Sequence, residues 1–376
     1  MNHLKPGSAR IRVLLAEADL ALREALCRAV EYSPSLVVCG TARDGIEALE
    51  RVRVLQPDVV VLDTAMPFLN GLEVLKHIMR YFACPVIMLS SLTQHDAEMT
   101  IHALSLGAFD YLSKPENGSC LSDHKFHAEV IAKIQASVDR WAHRKQDAPR
   151  FRWPDSQERL GVVPEIIAIG ASTGGPKALQ ELIPELPADL PTPIVVVQHM
   201  PPGFTGPFAD RLNMLSALKA REARHDDLLE PGTVYVAPAG RQFVVQRRSG
   251  ALGRITLSDP PGDLLHKPSV DAMMVSVAEA FGRYAMGVIL TGMGSDGLHG
   301  MTAVRDAGGL TIGQDESTCT IYGMPRACAE NGVLQEVLPL YEMPNRILKA
   351  LRRSTGEHKL PQHALAAQLQ KTALVR

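Results

Sequence analysis

Residues 165–182 have the sequence EIIAIGASTGGPKALQEL, in which a buried strand runs into a glycine-rich turn and then into a helix. The glycines permit a tight turn, and Pro176 suits the first turn of the following helix. This turn lifts Ser172 to the edge of a sheet, where free N–H groups at the helix start favour developing negative charge. Residues 170–174 have the form G-x-S-x-G, the pattern of a nucleophile elbow. The segment therefore predicts a strand–turn–helix unit with Ser172 as a candidate nucleophile.

A glycine-rich turn after a strand also binds phosphate in many proteins, so a dinucleotide site is the alternative. In the pattern G-x-G-x-x-G the middle glycine would stand where this chain has Ser172. The next predicted strand, PIVVVQ (193–198), is followed by His199 and not by the acidic residue that a ribose would require. The residues around the turn favour nucleophilic chemistry over nucleotide binding.

Two more polar residues follow strands of the same predicted sheet. His199 follows PIVVVQ, and Asp296 lies in TGMGSDG (291–297), between a strand and a helix. Because the carboxyl ends of parallel strands meet at one edge, we expect Ser172, His199 and Asp296 to act as nucleophile, base and orienting acid. Taken singly, His199 is typical of a solvated loop and Asp296 of a helix cap. The chain order Ser, His, Asp differs from that of α/β-hydrolases, so the elbow motif does not predict that fold.

Outward from this segment, apolar strands and amphipathic helices alternate on both sides. The pattern predicts an α/β protein with two doubly wound domains, the first with five parallel strands. We predict an N-terminal extension (1–9), a first domain (10–133), a polar linker that starts as a helix (134–163), a second domain (164–353) and a polar tail (354–376).

The first domain places an acidic pocket at the edge of its sheet. Asp63 follows the third predicted strand, Glu17 and Asp19 follow the first, Ser90 ends the fourth and Lys114 follows the fifth. Ligands bind at this edge of open α/β sheets. The set suits Mg²⁺ held by Glu17, Asp63 and Asp19 beside a phosphate-accepting Asp63, with Ser90 and Lys114 contacting the phosphoryl oxygens.

The bulk composition excludes several classes of function. The 39 basic and 41 acidic side chains give a net charge of −2, which argues against a nucleic-acid surface. No apolar run has the roughly 20 residues needed to cross a bilayer, and the six scattered cysteines are typical of reduced thiols. We expect a cytoplasmic protein that does not insert into membranes.

The motif D-x-x-M-P-x-x-x-G (63–71) and the pair K-P (114–115) resemble those of bacterial response-regulator receiver domains, which have a flavodoxin-like fold. The resemblance implies transfer of a phosphoryl group from a sensor histidine kinase to Asp63 with Mg²⁺ bound. One position departs from the family pattern. Receivers usually carry two adjacent acids after the first strand, and this chain has Glu17 and Ala18. Alanine has no group that coordinates a metal, so this control site is the weaker expectation.

The whole of residues 10–352 resembles the chemotaxis protein-glutamate methylesterases (the CheB family). The matching motifs include IGASTGGP, QHMPPGFT (198–205), VYVAPAGR (234–241), HKPSVDAM (266–273), TGMGSDG and GQDESTCTIYGMPR (313–326).

The methylesterase resemblance implies that Ser172, His199 and Asp296 are the catalytic triad and that the Met293 N–H stabilises the oxyanion. Thr173 and His266 lie within matching motifs, where they either shape the site or make structural hydrogen bonds. The implied reactions are hydrolysis of glutamyl methyl esters, and deamidation of glutamines, on chemoreceptor signalling domains. Neither implied reaction needs a cofactor in the catalytic domain. In this family the unphosphorylated receiver covers the esterase entrance. We expect a monomer.

Two other functions stay open from the sequence. One is a signalling adaptor, in which a receiver is joined to an α/β module that binds without catalysis. The other is a serine hydrolase with a different ester substrate, because triads recur on many folds.

Overall fold

The computed structural model describes residues 10–82, 84–91, 93–115, 124–143, 162–247, 253–259 and 266–351. The predicted N-terminal extension (1–9), the part of the predicted linker from 144 to 161 and the predicted tail (354–376) lie outside these residues. Over the described ranges, no helix has both the length and the apolar character needed to cross a bilayer.

The first domain is a parallel five-stranded sheet with helices on both faces. Its strands are β1 (Ile11–Ala16), β2 (Leu36–Ala42), β3 (Val59–Asp63), β4 (Val86–Ser90) and β5 (Asp110–Ser113). Its helices are α1 (Leu20–Glu31), α2 (Gly45–Leu55), α3 (Gly71–Tyr81), α4 (Gln94–Ser105) and α5 (His124–His143). The strand order β2-β1-β3-β4-β5 confirms the predicted flavodoxin-like fold.

Local sequence explains where the elements of this domain begin. Every residue of β3 and β4 is buried, as expected for central parallel strands covered on both faces. Asp19, Asp44 and Asn70 precede α1, α2 and α3, and each side chain accepts an N–H from the first turn of its helix. Asp19, a predicted ligand of the acidic pocket, therefore serves as the cap of α1.

Helix α5 continues ten residues beyond the predicted end of the first domain at 133. Val130, Ile134 and Ser137 are all fully buried, so the side of the helix that faces the sheet continues across that boundary. The helical start of the predicted linker is thus continuous with the receiver fold.

The second domain is built on a parallel seven-stranded sheet. Its strands are β6 (Ile166–Ala171), β7 (Ile194–Gln198), β8 (Lys219–Glu222), β9 (Thr233–Val236), β12 (Ala285–Ile289), β13 (Leu310–Gln314) and β14 (Glu336–Leu338). Its helices are α6 (Gly175–Leu182), α7 (Thr205–Leu215), α8 (Val270–Phe281), α9 (Leu298–Asp306), α10 (Met324–Glu330) and α11 (Met343–Leu351). The order β14-β13-β12-β6-β7-β9-β8 puts β6 at the centre, with β12 and β7 on either side.

The segment RITL (254–257) lies outside this sheet. As β11 (Arg254–Ser258), it pairs antiparallel with β10 (Gln242–Gln246) to form a two-stranded ribbon. Buried residues alternate with more exposed ones along β11, the pattern of a strand with only one covered face.

The two domains share a continuous apolar core. Helix α4 of the first domain packs against α6 and α7 of the second. The ring of Tyr111, on β5, stacks on that of Phe204 at the start of α7, with centroids 5.4 Å apart and planes 11° from parallel. The first domain therefore docks through its α4–β5 side next to the segment that carries His199.

Candidate active site

Ser172, His199 and Asp296 come from three neighbouring strands. Ser172 follows β6 and His199 follows β7, while Asp296 lies in the turn between β12 and α9. The His199 N–H donates to the carbonyl of Ala171 at 3.0 Å, and the Ser172 N–H donates to the carbonyl of Thr291 at 3.0 Å. The structure thus brings the three predicted residues to one edge of the sheet.

Two glycines allow the backbone to fold closely around Ser172. Gly174 has a φ of 76°, which a side chain would strain, and it is the N-cap of α6. A Cβ added to Gly292 would lie 2.8 Å from the Ser172 Cβ and 2.2 Å from the Met324 sulfur. Glycine at 292 therefore lets the loop after β12 pass directly beside the nucleophile.

A hydrogen bond joins His199 to Asp296. The distance from His199 Nε2 to Asp296 Oδ2 is 2.8 Å, and the two side chains are only 13% and 8% exposed. Asp296 Oδ2 also accepts the Val270 N–H at 2.8 Å. Asp296 Oδ1 accepts the Asp271 N–H at 2.9 Å and the Ser269 hydroxyl at 3.0 Å. Both oxygens of the carboxylate are thus held by two donors each.

These donors keep Asp296 ionised. Burial alone would raise the pKa of Asp296, but the hydrogen bond from His199 and the N–H groups of Asp271 and Val270 hold that pKa well below its usual range. The N–H groups belong to the start of α8, where they have no partner within the helix and where negative charge is favoured.

The orientation of the imidazole assigns a role to each ring nitrogen. Nε2 faces the ionised Asp296 carboxylate, so Nε2 carries the proton. Nδ1 then keeps its lone pair and is the ring nitrogen that can accept a proton. The Gln198 side-chain amide donates to the carbonyls of both Ser172 (2.8 Å) and His199 (3.0 Å), which fixes the two strand ends relative to each other.

His266 and Thr173 both lie at the site. The His266 ring stacks on that of His199, with centroids 4.2 Å apart and planes 11° from parallel. Burial, together with the nearby His199, lowers the pKa of His266. The Thr173 carbonyl accepts the Thr291 hydroxyl at 2.9 Å, so this residue contributes its backbone to the loop contact.

Met293 lies in a loop that is tied to the segment 315–323. Gly292 donates its N–H to the Ile321 carbonyl, and its own carbonyl accepts the N–H groups of Gly323 and Met324. The Met293 N–H has no acceptor within the described part of the chain, and its side chain is 47% exposed. This N–H is therefore available to donate to a bound group.

A cavity of about 1220 Å³ separates the first domain from this loop. Gly174, Met293 and Tyr322 line one side, and α5 lines the other. At its rim, Arg140 Nη1 on α5 donates to the carbonyls of Ser317 (2.6 Å) and Cys319 (2.8 Å). The first domain thus contacts the segment that supports the Met293 loop.

Sequence reasoning missed Gln198, Ser269 and Arg140 as contributors to the site. Ser269 had a readable signal, since a serine before the apolar run of α8 is typical of a helix N-cap. Gln198 and Arg140 act through contacts between distant parts of the chain, for which the sequence has no local signal.

In the first domain, Lys114 lies between two of the acidic residues that follow the strands. Lys114 Nζ lies 3.0 Å from Glu17 Oε2 and 2.9 Å from Asp63 Oδ1. Burial, and then the Asp63 charge, raise the pKa of Glu17. The Ser90 hydroxyl accepts the Thr100 hydroxyl at 2.7 Å and lies 3.2 Å from the Ser91 carbonyl and 3.4 Å from the Asp96 carbonyl.

The residues of the predicted acidic pocket do not provide the set of acids that the receiver resemblance implies for Mg²⁺. Glu17 Oε2 is buried and pairs with Lys114, which also contacts Asp63, but Ala18 offers no ligand. The exposed Asp19 accepts the Leu22 N–H at 2.7 Å as the cap of α1. Arg23 Nη1 donates to the Glu17 and Ala18 carbonyls, which brings a cation to the side of the missing carboxylate. Within the described ranges, no group of three or more metal-binding side chains is found.

Comparison with known proteins identifies both domains. The family model described as "CheB methylesterase" matches residues 167–347, and the "Response regulator receiver domain" model matches residues 13–124. The crystal structure of the Thermotoga maritima CheB methylesterase catalytic domain is 40% identical, covers 50% of this chain and 99% of its own, and has a TM-score of 0.48.

Curated relatives match across both domains. A protein of Pyrococcus horikoshii named "Protein-glutamate methylesterase/protein-glutamine glutaminase" is 41% identical over 359 residues, which cover 94% of this chain and 97% of the relative. A protein of the same name from Symbiobacterium thermophilum is 42% identical over 355 residues, which cover 91% and 97%. Because both similarities extend over nearly the full length of both chains, this chain belongs to the CheB family of receiver-containing protein-glutamate methylesterases/protein-glutamine glutaminases.

Proposed function

We propose that this chain hydrolyses γ-glutamyl methyl esters, and deamidates glutamines, on the signalling domains of chemoreceptors, under control of its receiver domain. The observation that carries the proposal is the convergence of Ser172, His199 and the fully hydrogen-bonded Asp296 at one sheet edge. Relatives that carry the methylesterase/glutaminase name over almost the whole chain support the substrate class.

In the first step, the Ser172 hydroxyl attacks the γ-carbonyl carbon of a receptor glutamyl ester while His199 Nδ1 takes the serine proton. The imidazolium that forms is stabilised through its Nε2–H by the ionised Asp296. The negative charge on the former carbonyl oxygen is accepted by the Met293 N–H. The tetrahedral intermediate collapses, His199 returns the proton to the leaving oxygen, and methanol departs.

In the second step, His199 Nδ1 takes a proton from water, and the resulting hydroxide attacks the glutamyl ester on Ser172. Collapse releases the receptor glutamate and returns the proton to Ser172. A receptor glutamine follows the same path with ammonia as the leaving group. The route uses side chains and N–H groups of this chain alone, and we propose that the catalytic domain needs no cofactor.

We propose that the receiver restricts access to Ser172 from across the interdomain cavity. The contacts that support this are the Tyr111–Phe204 stack and the bonds from Arg140 to residues 317 and 319. A sensor histidine kinase would supply the phosphoryl group to Asp63. We further propose that the protein is monomeric and works in the cytoplasm, where the signalling domains of chemoreceptors lie.

We propose that Mg²⁺ binds weakly at the acidic pocket and that Asp63 is therefore phosphorylated inefficiently. The absence of a carboxylate at Ala18 and the engagement of Asp19 as a helix cap support this. Stoichiometric, Mg²⁺-dependent labelling of Asp63 by a small phosphodonor at low millimolar concentration would contradict it.

The substrate is tested by mass spectrometry of a chemoreceptor signalling domain incubated with the purified protein. We expect methylated glutamates to lose the methyl group and glutamines at the same sites to become glutamates. A receptor whose esters and amides both stay intact, while a simple carboxylic ester is cleaved, would indicate a hydrolase with another substrate.

A further inference from the structure

The carboxylate of Asp271, on α8, makes contacts at the site that the catalytic route above does not use. Asp271 Oδ1 accepts the N–H of Gly297 at 2.9 Å and the N–H of Gly300 at 2.7 Å. Both donors belong to the start of α9, and Gly297 directly follows Asp296. Asp271 therefore holds the backbone on the C-terminal side of Asp296.

Helix α9 depends on this outside partner. Its N-cap is Gly297, which has no side chain to accept the free N–H groups of the first turn. The φ of Gly297 is 107°, a conformation that strains other residues. Asp271 supplies the oxygen that a capping side chain at 297 would have supplied.

The two helices cap each other. The Asp296 carboxylate, before α9, accepts the N–H groups of Val270 and Asp271 at the start of α8. The Asp271 carboxylate, in α8, accepts the N–H groups of Gly297 and Gly300 at the start of α9. The helices approach closely enough for this exchange, since a Cβ on Gly300 would lie 2.6 Å from the Met274 Cβ.

This exchange fixes Asp296 through both its side chain and its backbone. Without the Asp271 carboxylate, the turn at 296–300 would lose two hydrogen bonds to its backbone, while the four donors to the Asp296 carboxylate would stay in place. That carboxylate would then be carried by a less restrained backbone. A misplacement of about 1 Å in such a group lowers the rate of a triad by roughly a hundredfold, because proton transfer depends on alignment.

We propose that Asp271 is a positioning residue, which holds the 296–300 turn so that Asp296 meets His199 Nε2 in line. The inference rests on the proposed triad. Burial, followed by the Asp296 charge, raises the pKa of Asp271, in line with two carboxylates held close together. An acceptor oxygen at this position, rather than the charge itself, is what the geometry requires.

The test compares Asp271→Ala with Asp271→Asn in the full-length chain. Ala removes the acceptor, and we expect kcat for methanol release to fall about 10- to 100-fold with little change in KM. Asn keeps an oxygen at the same place, and we expect kcat within about threefold of the unmodified protein. Should Asp271→Ala not fold, Asp271→Leu, which keeps the branched shape without an acceptor, takes its place with the same expected loss.

Two further arms separate positioning from general stability. Asp44→Ala removes a comparable helix cap in the receiver, where the Asp44 side chain accepts the Glu47 N–H at 2.8 Å, and we expect it to lower thermal stability without lowering kcat. The NMR signal of the His199 Nε2 proton, assigned with His199→Ala, should shift in Asp271→Ala and stay in place in Asp271→Asn and Asp44→Ala.

A kcat in Asp271→Ala equal to that of the unmodified protein, or an unchanged Nε2 proton signal, would overturn the inference. The same holds if Asp271→Asn loses as much activity as Asp271→Ala. The variant Asp296→Asn tests the proposed triad separately. Full activity in that variant would overturn the triad and this inference together, whereas an inactive Asp296→Asn with a fully active Asp271→Ala would overturn this inference alone.

Discussion

At the edge of the second sheet, both oxygens of Asp296 are held by two donors each, whereas at the same edge of the receiver sheet Glu17 and Asp63 share the single ammonium of Lys114. The first cluster is complete within the protein, and the second lacks a carboxylate at Ala18. The same arrangement of parallel strands thus builds one site whose carboxylate is fully hydrogen-bonded and one whose carboxylates share a single cation. The carboxylate of the catalytic domain is therefore fully hydrogen-bonded within the chain, while the receiver pocket has one carboxylate fewer than the family pattern.

The largest effect on this comparison is expected from a substitution of Asp296 in the hydrogen-bonded site. We expect Asp296→Asn to lower kcat by roughly 10⁴-fold, because the amide cannot stabilise the imidazolium and can favour the wrong tautomer of His199. KM should change little, since the carboxylate does not contact the bound receptor. Steady-state methanol release measures both constants, and retention of more than about a tenth of the activity would contradict the role given to Asp296.

A carboxylate at position 18 should strengthen Mg²⁺ binding in the acidic pocket of the receiver. We expect Ala18→Asp to tighten Mg²⁺ binding by at least about tenfold, because it adds a carboxylate ligand next to Glu17 and Asp63. Titration calorimetry measures the affinity, and labelling of Asp63 by a small phosphodonor should increase in parallel.

The matched control for that change is Ala18→Asn, which has the same shape without the charge and should bind Mg²⁺ less tightly than Ala18→Asp. Equal Mg²⁺ affinity in Ala18→Asp and the unmodified protein would show that position 18 does not limit the site.

A smaller effect on methanol release is expected from removing the contact between α5 and the segment 317–319. Arg140→Ala removes hydrogen bonds from a charged group to the segment 317–319, and we expect basal methanol release to rise about two- to tenfold as the receiver loosens. Arg51→Ala is the control, since Arg51 pairs with Glu47 inside the receiver. A fall in activity for Arg140→Ala would instead mean that the contact supports the Met293 loop.

The smallest expected effect concerns His266, whose pKa is lowered by burial and by His199. Such a group favours the folded state in its neutral form, so its contribution is present above the ordinary histidine pKa of about 6.5 and is lost as the pH falls below it. We expect the melting temperature of the unmodified protein to drop between neutral and mildly acidic pH by about 1–2 °C more than that of His266→Phe, which keeps a stacking ring. Identical pH dependence by calorimetry would contradict this.

The fold was largely predictable because its central strands are apolar and lie between amphipathic helices. Sequence reasoning missed three strands, β10 in the two-stranded ribbon and the edge strands β8 and β14. The edge strands have the sequences KARE and EVL, and each pairs on one side only. Strands of three or four residues carry little periodic signal, so their pairing follows from the rest of the sheet.

The positions of the site residues could be predicted from the sequence because these residues follow recognisable strands. Ser172 and His199 directly follow apolar strands, and Asp296 follows one by a short turn, so their convergence follows from parallel pairing. The direction of the His199 ring and the approach of α8 to Asp296 depend on packing between distant segments. No local pattern in the sequence reports such contacts, which is why the role of Asp271 became visible only in three dimensions.

Methanol release from a methylated chemoreceptor signalling domain, compared between the unmodified protein and Ser172→Ala, tests the central claim most directly. The account predicts release by the unmodified protein and a loss of roughly 10⁶-fold in Ser172→Ala, since the acyl acceptor is gone while the fold is kept. Release that survives in Ser172→Ala would contradict the proposed nucleophile, and no release by the unmodified protein would contradict the proposed reaction.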